Sequence, residues 1–293
     1  MEMKDFYKQF CEEHFDENGI LDSFQITAPD SFNFAYDVID KIAEMEPDRR
    51  AMVWTNEAGE ERVFTFRDIS DYSTKAANLF ASHGIGKGDT VMLILKRNYQ
   101  FWFAILGLHK LGAITVPATN LLTTKDIVYR FRAASIKAIV CTSQCNVHQY
   151  IDEAEKQLGV EVIKFSAMGH FDNYINFDEE IEKQPAHMER VPVTARDGML
   201  MYFTSGTTGE PKMVLHGYDY PLAHIITAVH WHQVDPDGLH LTLAETGWGK
   251  AVWGKLYGQW LAAAGIFVYD FDKFVPTDVL HMIEKYRITT FCA

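Results

Sequence analysis

The chain has 293 residues, 47% of them hydrophobic and 23% charged, so it can bury a sizeable core and is not a disordered or low-complexity sequence. Asp and Glu outnumber Lys and Arg by 40 to 27, a net charge of -13 that argues against nucleic acid as the partner, since neutralising phosphates needs clustered basic residues. No apolar run approaches the ~20 residues of a membrane span, and the charged start Met1-Glu2-Met3-Lys4-Asp5 shows no secretory signal. Four sparse cysteines (Cys11, Cys141, Cys145, Cys292) fit a reduced, cytoplasmic setting.

In chain order, Phe6, Tyr7, Phe10 and Phe15 predict a helical start. Residues 51–54 and 62–66 flank Glu57-Ala-Gly-Glu60 and predict a hairpin, followed by a helix to about residue 83 that Gly84 and Gly86 end. From there the pattern alternates. Strands are predicted at residues 89–95, 113–116, 137–141 and 161–165. Helices between them are predicted at 99–111, 123–134 (Thr123 as N-cap) and 147–158. Strands alternating with helices of this length indicate parallel βαβ units. Residues 166–195 are polar and interrupt the rhythm. It resumes with strands at 198–203, 239–243, 266–269 and 288–292 and helices at 218–231, 251–263 and 277–286. The fold class is therefore α/β, with two similar parallel-sheet subdomains flanked by helices. The expected division is 1–170, a connecting excursion at 171–195, and an incomplete second subdomain at 196–293. An apolar strand directly before the last residue predicts that the sequence belongs to a longer chain.

The chemistry concentrates in Tyr202-Phe-Thr-Ser-Gly-Thr-Thr-Gly-Glu-Pro-Lys-Met-Val214. An apolar strand feeds four hydroxyl residues (Thr204, Ser205, Thr207, Thr208) and two glycines (Gly206, Gly209), then Glu210, Pro211 and Lys212. Glycines let backbone N–H groups approach an anion, hydroxyls add donors, and a lysine adds a mobile charge. These are the parts of a polyphosphate cradle. The Walker pattern is not met: Gly209 follows Gly206 by three residues and Met213 follows Lys212.

The stretch 204–212 resembles the phosphate loop of adenylate-forming enzymes, the superfamily of acyl-CoA synthetases, luciferases and peptide-synthetase adenylation domains. Val63-Phe-Thr-Phe66, Leu111-Gly-Ala-Ile-Thr-Val-Pro117 and Glu245-Thr-Gly-Trp-Gly-Lys-Ala-Val-Trp-Gly254 resemble further family segments, the last of them a segment near the acyl pocket of medium-chain acyl-CoA synthetases. The resemblance implies the N-terminal portion of an AMP-forming acyl-CoA synthetase, a ligase using ATP, Mg2+ and CoA on a small or medium-chain carboxylic acid. It implies that Thr204, Ser205, Gly206, Thr207, Thr208, Gly209, Glu210, Pro211 and Lys212 hold the β- and γ-phosphates, with Lys212 the catalytic charge of that loop. It implies that Trp248 and Gly249 line the acyl channel, ordinary packing being the alternative for Trp248. The adenine segment, the acidic residues that meet magnesium, and a lid lysine would follow residue 293, so this stretch alone is expected not to complete adenylation. Two alternatives stay open: an adenylating enzyme with an acceptor other than CoA, and a non-catalytic nucleotide- or anion-binding module. The reading frame beyond Ala293 separates that module from the synthetase.

Weaker signals are set aside as structural. Cys141, Cys145 and His148 lack zinc spacing, and within the cluster of His224, His230 and His232 the last two stand two residues apart, which points them to different faces of a helix. No metal ligand is assigned, His216 could approach the phosphates, and the sequence fixes no oligomeric state.

Overall fold

The structure is a computed structural model describing residues 2–204 and 209–293. The chain opens with a 3-10 helix, Met3–Gln9, and a hairpin of β1 (Cys11–Phe15) and β2 (Leu21–Ile26). The helical start is thus a single tight element burying Phe6 and Tyr7. Asp16 Oδ1 accepts the Asn18 and Ile20 amides and turns the chain back. A π-helical turn, Ala35–Asp40, runs into α1 (Lys41–Met45). β3 (Arg50–Asn56) and β4 (Glu61–Thr65) form the expected hairpin. α2 (Phe66–Ser82) starts on a reciprocal Thr65–Asp68 capping box.

The alternating stretch then follows. It comprises β5 (Thr90–Ile94), α3 (Gln100–Leu111), β6 (Ile114–Pro117), α4 (Thr124–Ala134), β7 (Ile136–Thr142), α5 (Val147–Leu158), β8 (Ile163–Ala167), β9 (Ile175–Asn176) and α6 (Phe177–Glu182). Thr123 caps α4 in a box with Asp126, as the sequence predicts. Gly112 ends α3 at φ 75°, the left-handed conformation that lets Gly close a helix. The chain continues with β10 (Gly198–Thr204), β11 (Lys212–Gly217), β12 (Leu239–Thr242), α7 (Gly249–Gly254), α8 (Tyr257–Leu261), β13 (Gly265–Asp270), α9 (Pro276–Tyr286) and β14 (Thr290–Cys292).

Two sheets carry the fold. The larger runs β11-β10-β6-β5-β7-β8-β9, parallel except for the β10–β11 pair. The smaller runs β14-β12-β13-β3-β4, parallel except for the β3–β4 hairpin. Alternate strand residues explain the layering. Val91 and Leu93 of β5 join Ile266 and Val268 of β13 in one core with α2, α3 and α8 between the sheets. Met92 and Ile94 face α4 and α5 on the outer side. Phe267 and Tyr269 form a separate outer core that includes Val279 of α9. Every residue of α3 is buried, as expected for a helix with a sheet on either side. Gly107 of α3 is required by that packing, since a Cβ there would lie 2.8 Å from Ala76 Cβ.

Three expectations are corrected. Residues 171–195 do not separate the sheets: β10 and β11 return to the sheet begun by β5, and β3 and β4 join the sheet of β12–β14. The excursion is instead strapped along α2, with Glu182 accepting from Tyr72 and Lys75, and Asn78 donating to the Pro185 and His187 carbonyls. The helix expected over 218–231 is a 3-10 turn, Tyr220–Ala223, and a π-helical turn, Ile226–Trp231; Pro221 has no amide to donate. The helix expected over 251–263 breaks between α7 and α8. There Thr242 Oγ1 donates to the Gly254 carbonyl at 2.7 Å and Trp102 Nε1 to the Lys255 carbonyl at 3.0 Å.

Candidate functional site

β10 runs parallel to β6, so Thr204 lies at the carboxyl edge of the larger sheet, where open α/β folds place their ligands. The segment predicted to hold phosphates joins β10 to β11, and Thr204 pairs with Lys212 across the ladder. Ser205, Gly206, Thr207 and Thr208 lie outside the described residues. Gly209 has φ +98°, a conformation suited to Gly, and no described atom would touch a Cβ there. Glu210 and Lys212 are exposed. α4 supports the far end of the segment: Tyr129 Oη donates to the Pro211 carbonyl at 2.7 Å, and the Arg130 guanidinium lies 4.8 Å over the Phe203 ring.

The second predicted element, residues 245–254, lies against the same edge. A Cβ at Gly247 would fall 2.3 Å from the Thr119 amide nitrogen, so the segment rests directly on the chain leaving β6. Thr246 donates through N–H and Oγ1 to the Lys96 carbonyl at the end of β5. Trp248 is 59% exposed, which removes ordinary core packing as its explanation. Gly249 faces β10: a Cβ there would meet Tyr202 Cζ at 3.9 Å.

Beneath this segment lies a junction that sequence reasoning missed. Lys96, Arg97 and Asn98 follow β5, Asp270 ends β13 and Asp272 lies just beyond it. Arg97 donates to the Leu243 carbonyl at 3.2 Å and the Phe271 carbonyl at 3.2 Å, stacking 3.9 Å over the Phe271 ring. Lys96 pairs with Asp272, and Asn98 Nδ2 donates to Asp270 at 2.8 Å and Gln144 at 2.9 Å. These contacts join the carboxyl ends of β5, β7, β12 and β13 across both sheets. Lys255, 1% exposed, sits among Arg97, Glu245 and Asp270. Burial pushes its amine down to about 7, Arg97 adds to the shift, and the two carboxylates oppose it. Burial likewise raises Glu245 and Asp270, each against nearby positive charge. The available signal was positional: Lys96 and Arg97, and Asp270 and Asp272, are the first charged residues at or just beyond the ends of buried parallel strands. A cavity of about 230 Å³ beside the junction is bounded by residues including Glu57, Lys96, Gln144, Asp270 and Asp272; neither Lys212 nor Trp248 lines it.

The remaining candidates are placed as follows. Among the described residues no group of three His, Cys, Asp or Glu side chains is arranged to hold a metal, and no helix is long and apolar enough to cross a membrane. Cys141 is buried in β7, where burial raises its thiol. His148 stacks on Phe171 at 3.8 Å, and His230 contacts Glu13 at 3.1 Å. His216 turns toward Tyr220, 4.1 Å away, and burial lowers its pKa.

The family model described as "AMP-binding enzyme" matches residues 39–293. The chain belongs to the AMP-binding enzyme family. It is 33% identical over 275 residues to the Mus musculus protein named acyl-coenzyme A synthetase ACSM5, mitochondrial, a match covering 90% of this chain and 46% of that one. It is 28% identical over 289 residues to the Homo sapiens acyl-coenzyme A synthetase ACSM3, mitochondrial, covering 92% and 47%. The crystal structure of a Brucella canis acyl-CoA synthetase superposes with a TM-score of 0.79 at 24% identity, over 90% of this chain and 48% of that one. The anthranilate CoA ligase AuaEII, in complex with anthranoyl-AMP, gives 0.78 at 23% identity, covering 90% and 50%. At these identities the superpositions show the fold, the two-sheet α/β architecture expected from the sequence. This AMP-binding chain spans about half the length of the curated relatives it matches. The cytoplasmic setting inferred from cysteine usage is overturned by those relatives, whose names place them in mitochondria. The reason is general: reduced cysteines mark a reducing compartment, and they do not say which one.

Proposed function

We propose that these residues form part of an ATP-dependent acyl-CoA synthetase that activates a small or medium-chain carboxylic acid. In the first step a carboxylate oxygen attacks the α-phosphorus, the bond to the bridging oxygen breaks, and pyrophosphate leaves. In the second, the CoA thiol loses its proton and attacks the acyl carbonyl, and AMP leaves. One observation carries the proposal. The glycine- and hydroxyl-rich connection from Thr204 to Lys212 and the Trp248–Gly249 segment share one sheet edge, with Gly249 against Tyr202 of the strand that feeds the connection. Thr204, Ser205, Gly206, Thr207, Thr208, Gly209, Glu210, Pro211 and Lys212 hold the β- and γ-phosphates, and Lys212 offsets charge on the departing pyrophosphate. Trp248 and Gly249 border the acyl group. Mg2+, when bound with ATP, would neutralise charge on the triphosphate. The names of the relatives support the acyl-CoA product.

The test is ATP-dependent pyrophosphate release by the full-length enzyme across carboxylic acids of increasing length, followed by thioester formation with CoA. Release followed by thioester is the expected result. No release with any acid overturns the proposal; release without thioester assigns a different acceptor.

A further inference from the structure

Two cavities of about 180 and about 490 Å³ lie side by side along β4, the edge strand of the smaller sheet. Arg62 of β4, Tyr99 at the head of α3 and Asp178 of α6 are walls of both. No residue of 204–212 or 245–254 lines either one, so the adenylation chemistry leaves them unused. The sequence builds the walls by periodicity. Arg62 and Phe64 are two apart on a strand, Tyr99 and Phe103 are four apart along α3, and Asp178 and Glu182 are four apart on α6. Each pair therefore shares one face of its element.

The rings meet in a continuous surface. Trp54 and Phe64 each lie 5.3 Å from Tyr99, and Tyr72 stacks on Phe103 at 4.5 Å. Aromatic faces carry negative potential. The carboxylates among them add to it: Asp178 and Glu182 in the smaller cavity, Glu60, Glu61 and Asp178 in the larger, against the guanidinium of Arg62. One part of the groove already holds an ammonium. Lys75 Nζ lies 5.0 Å from the Tyr72 ring centroid and 2.8 Å from Glu182, whose other oxygen accepts from the Tyr72 hydroxyl.

Tyr99 and Asp178 repeat the ring and the carboxylate without the cation. Burial raises the Tyr99 hydroxyl and the Asp178 charge adds to the rise, so the two groups are neighbours. Asp178 accepts one bond on each oxygen, from Gln100 Nε2 at 2.6 Å and from the Met168 amide at 2.7 Å, and forms no ion pair among the described residues. Lone pairs remain on both oxygens. Gln100 Oε1, on a side chain 1% exposed, is a further acceptor with no hydrogen-bond partner among the described residues. Unused acceptors beside open aromatic faces call for a positive group that carries N–H donors.

We propose that this groove binds a small organic ammonium ion with N–H donors and an apolar body, its charge over Tyr99 beside Asp178 and its body against Phe64 and Phe103. The same residues would receive such an amine whatever acid the enzyme activates.

The test is calorimetric titration of the full-length enzyme at neutral pH with 2-phenylethylammonium chloride and with 2-phenylethanol, a probe of matched size without the charge. One saturable site for the amine is expected, at least about tenfold tighter than for the alcohol. Asp178→Asn and Tyr99→Leu should each weaken the amine by about tenfold. Arg62→Ala, at an exposed position, removes a like charge and should tighten it by about threefold; it serves as the reading if the other two variants do not fold. No saturable binding of the amine, or equal affinity for the alcohol, overturns the proposal. So does an affinity that folded Asp178→Asn leaves unchanged. Weaker amine binding in Arg62→Ala overturns it as well, since Arg62 would then be holding an anionic group. None of these outcomes bears on pyrophosphate release, so adenylation stands or falls separately.

Discussion

The chain from Thr204 to Gly217 and the junction beneath residues 245–255 make opposite use of charge. In the first, Lys212 and Glu210 are exposed and β11 pairs on one side only, with β10. In the second, Arg97, Lys255, Glu245 and Asp270 are largely withdrawn from solvent and near enough to act on one another's charge, with Arg97 bonded to two carbonyls. An exposed lysine carries little desolvation cost and can meet an anion that arrives from solution. A buried one is held against the desolvation cost by the fold that surrounds it. Substitutions should therefore separate the two regions, chemistry suffering in one and stability in the other.

Arg97→Ala should show the largest effect. It leaves the Leu243 and Phe271 carbonyls without their side-chain donor and takes one of the positive neighbours from Glu245 and Asp270, a loss of about 3 kcal/mol in urea unfolding. A cost below about 0.5 kcal/mol would break the comparison. Lys212→Ala should reverse the pattern. Pyrophosphate release by the full-length enzyme should fall at least ~100-fold, about 2.7 kcal/mol in the barrier, with the melting temperature unchanged. An unchanged release rate would remove the role assigned to Lys212.

Lys255 gives a smaller, pH-dependent signature. Its amine titrates near 7 in the fold against 10.5 as its ordinary value. Below about 7 both states hold the proton and the burial cost is full. Between about 7 and 10.5 the unfolded chain binds more protons, so this group makes stability rise with pH, by up to about 1.4 kcal/mol per unit. The difference in unfolding free energy between wild type and Lys255→Met, measured at pH 7, 8 and 9, isolates this contribution from the tyrosines and cysteines. A difference independent of pH would show that Lys255 is not held as described. The smallest effect is expected at the exposed edge, where Met213→Ser should change the stability of the 293-residue chain by less than about 0.5 kcal/mol.

Legibility in the sequence followed the locality of the physics. Val147–Leu158 was readable to the residue, and Thr65 and Thr123 cap their helices through partners three residues on. The glycine- and hydroxyl-rich segment stood out because it occupies nine consecutive positions, 204–212. β11 was not readable: Met213, Val214 and Leu215 do not alternate with polar residues, and their strand is set by pairing with β10. The break between α7 and α8 was illegible for the same reason, since it depends on Thr242 and Trp102 from other elements.

The amino-acid sequence by itself determined the alternation of strands and helices, the capped ends and the glycine–hydroxyl segment ending in Lys212. Each rests on periodicity or on contacts within a few residues. Only the tertiary structure decided that β3 and β4 cross to the sheet of β12–β14, and that Arg97, Glu245, Lys255 and Asp270 meet. It alone set Tyr72, Tyr99 and Asp178 around one cavity. Such groupings join residues up to about 170 positions apart, as Asn98 and Asp270 are. Burial and shared desolvation select them, and neither is written in the spacing of neighbouring residues.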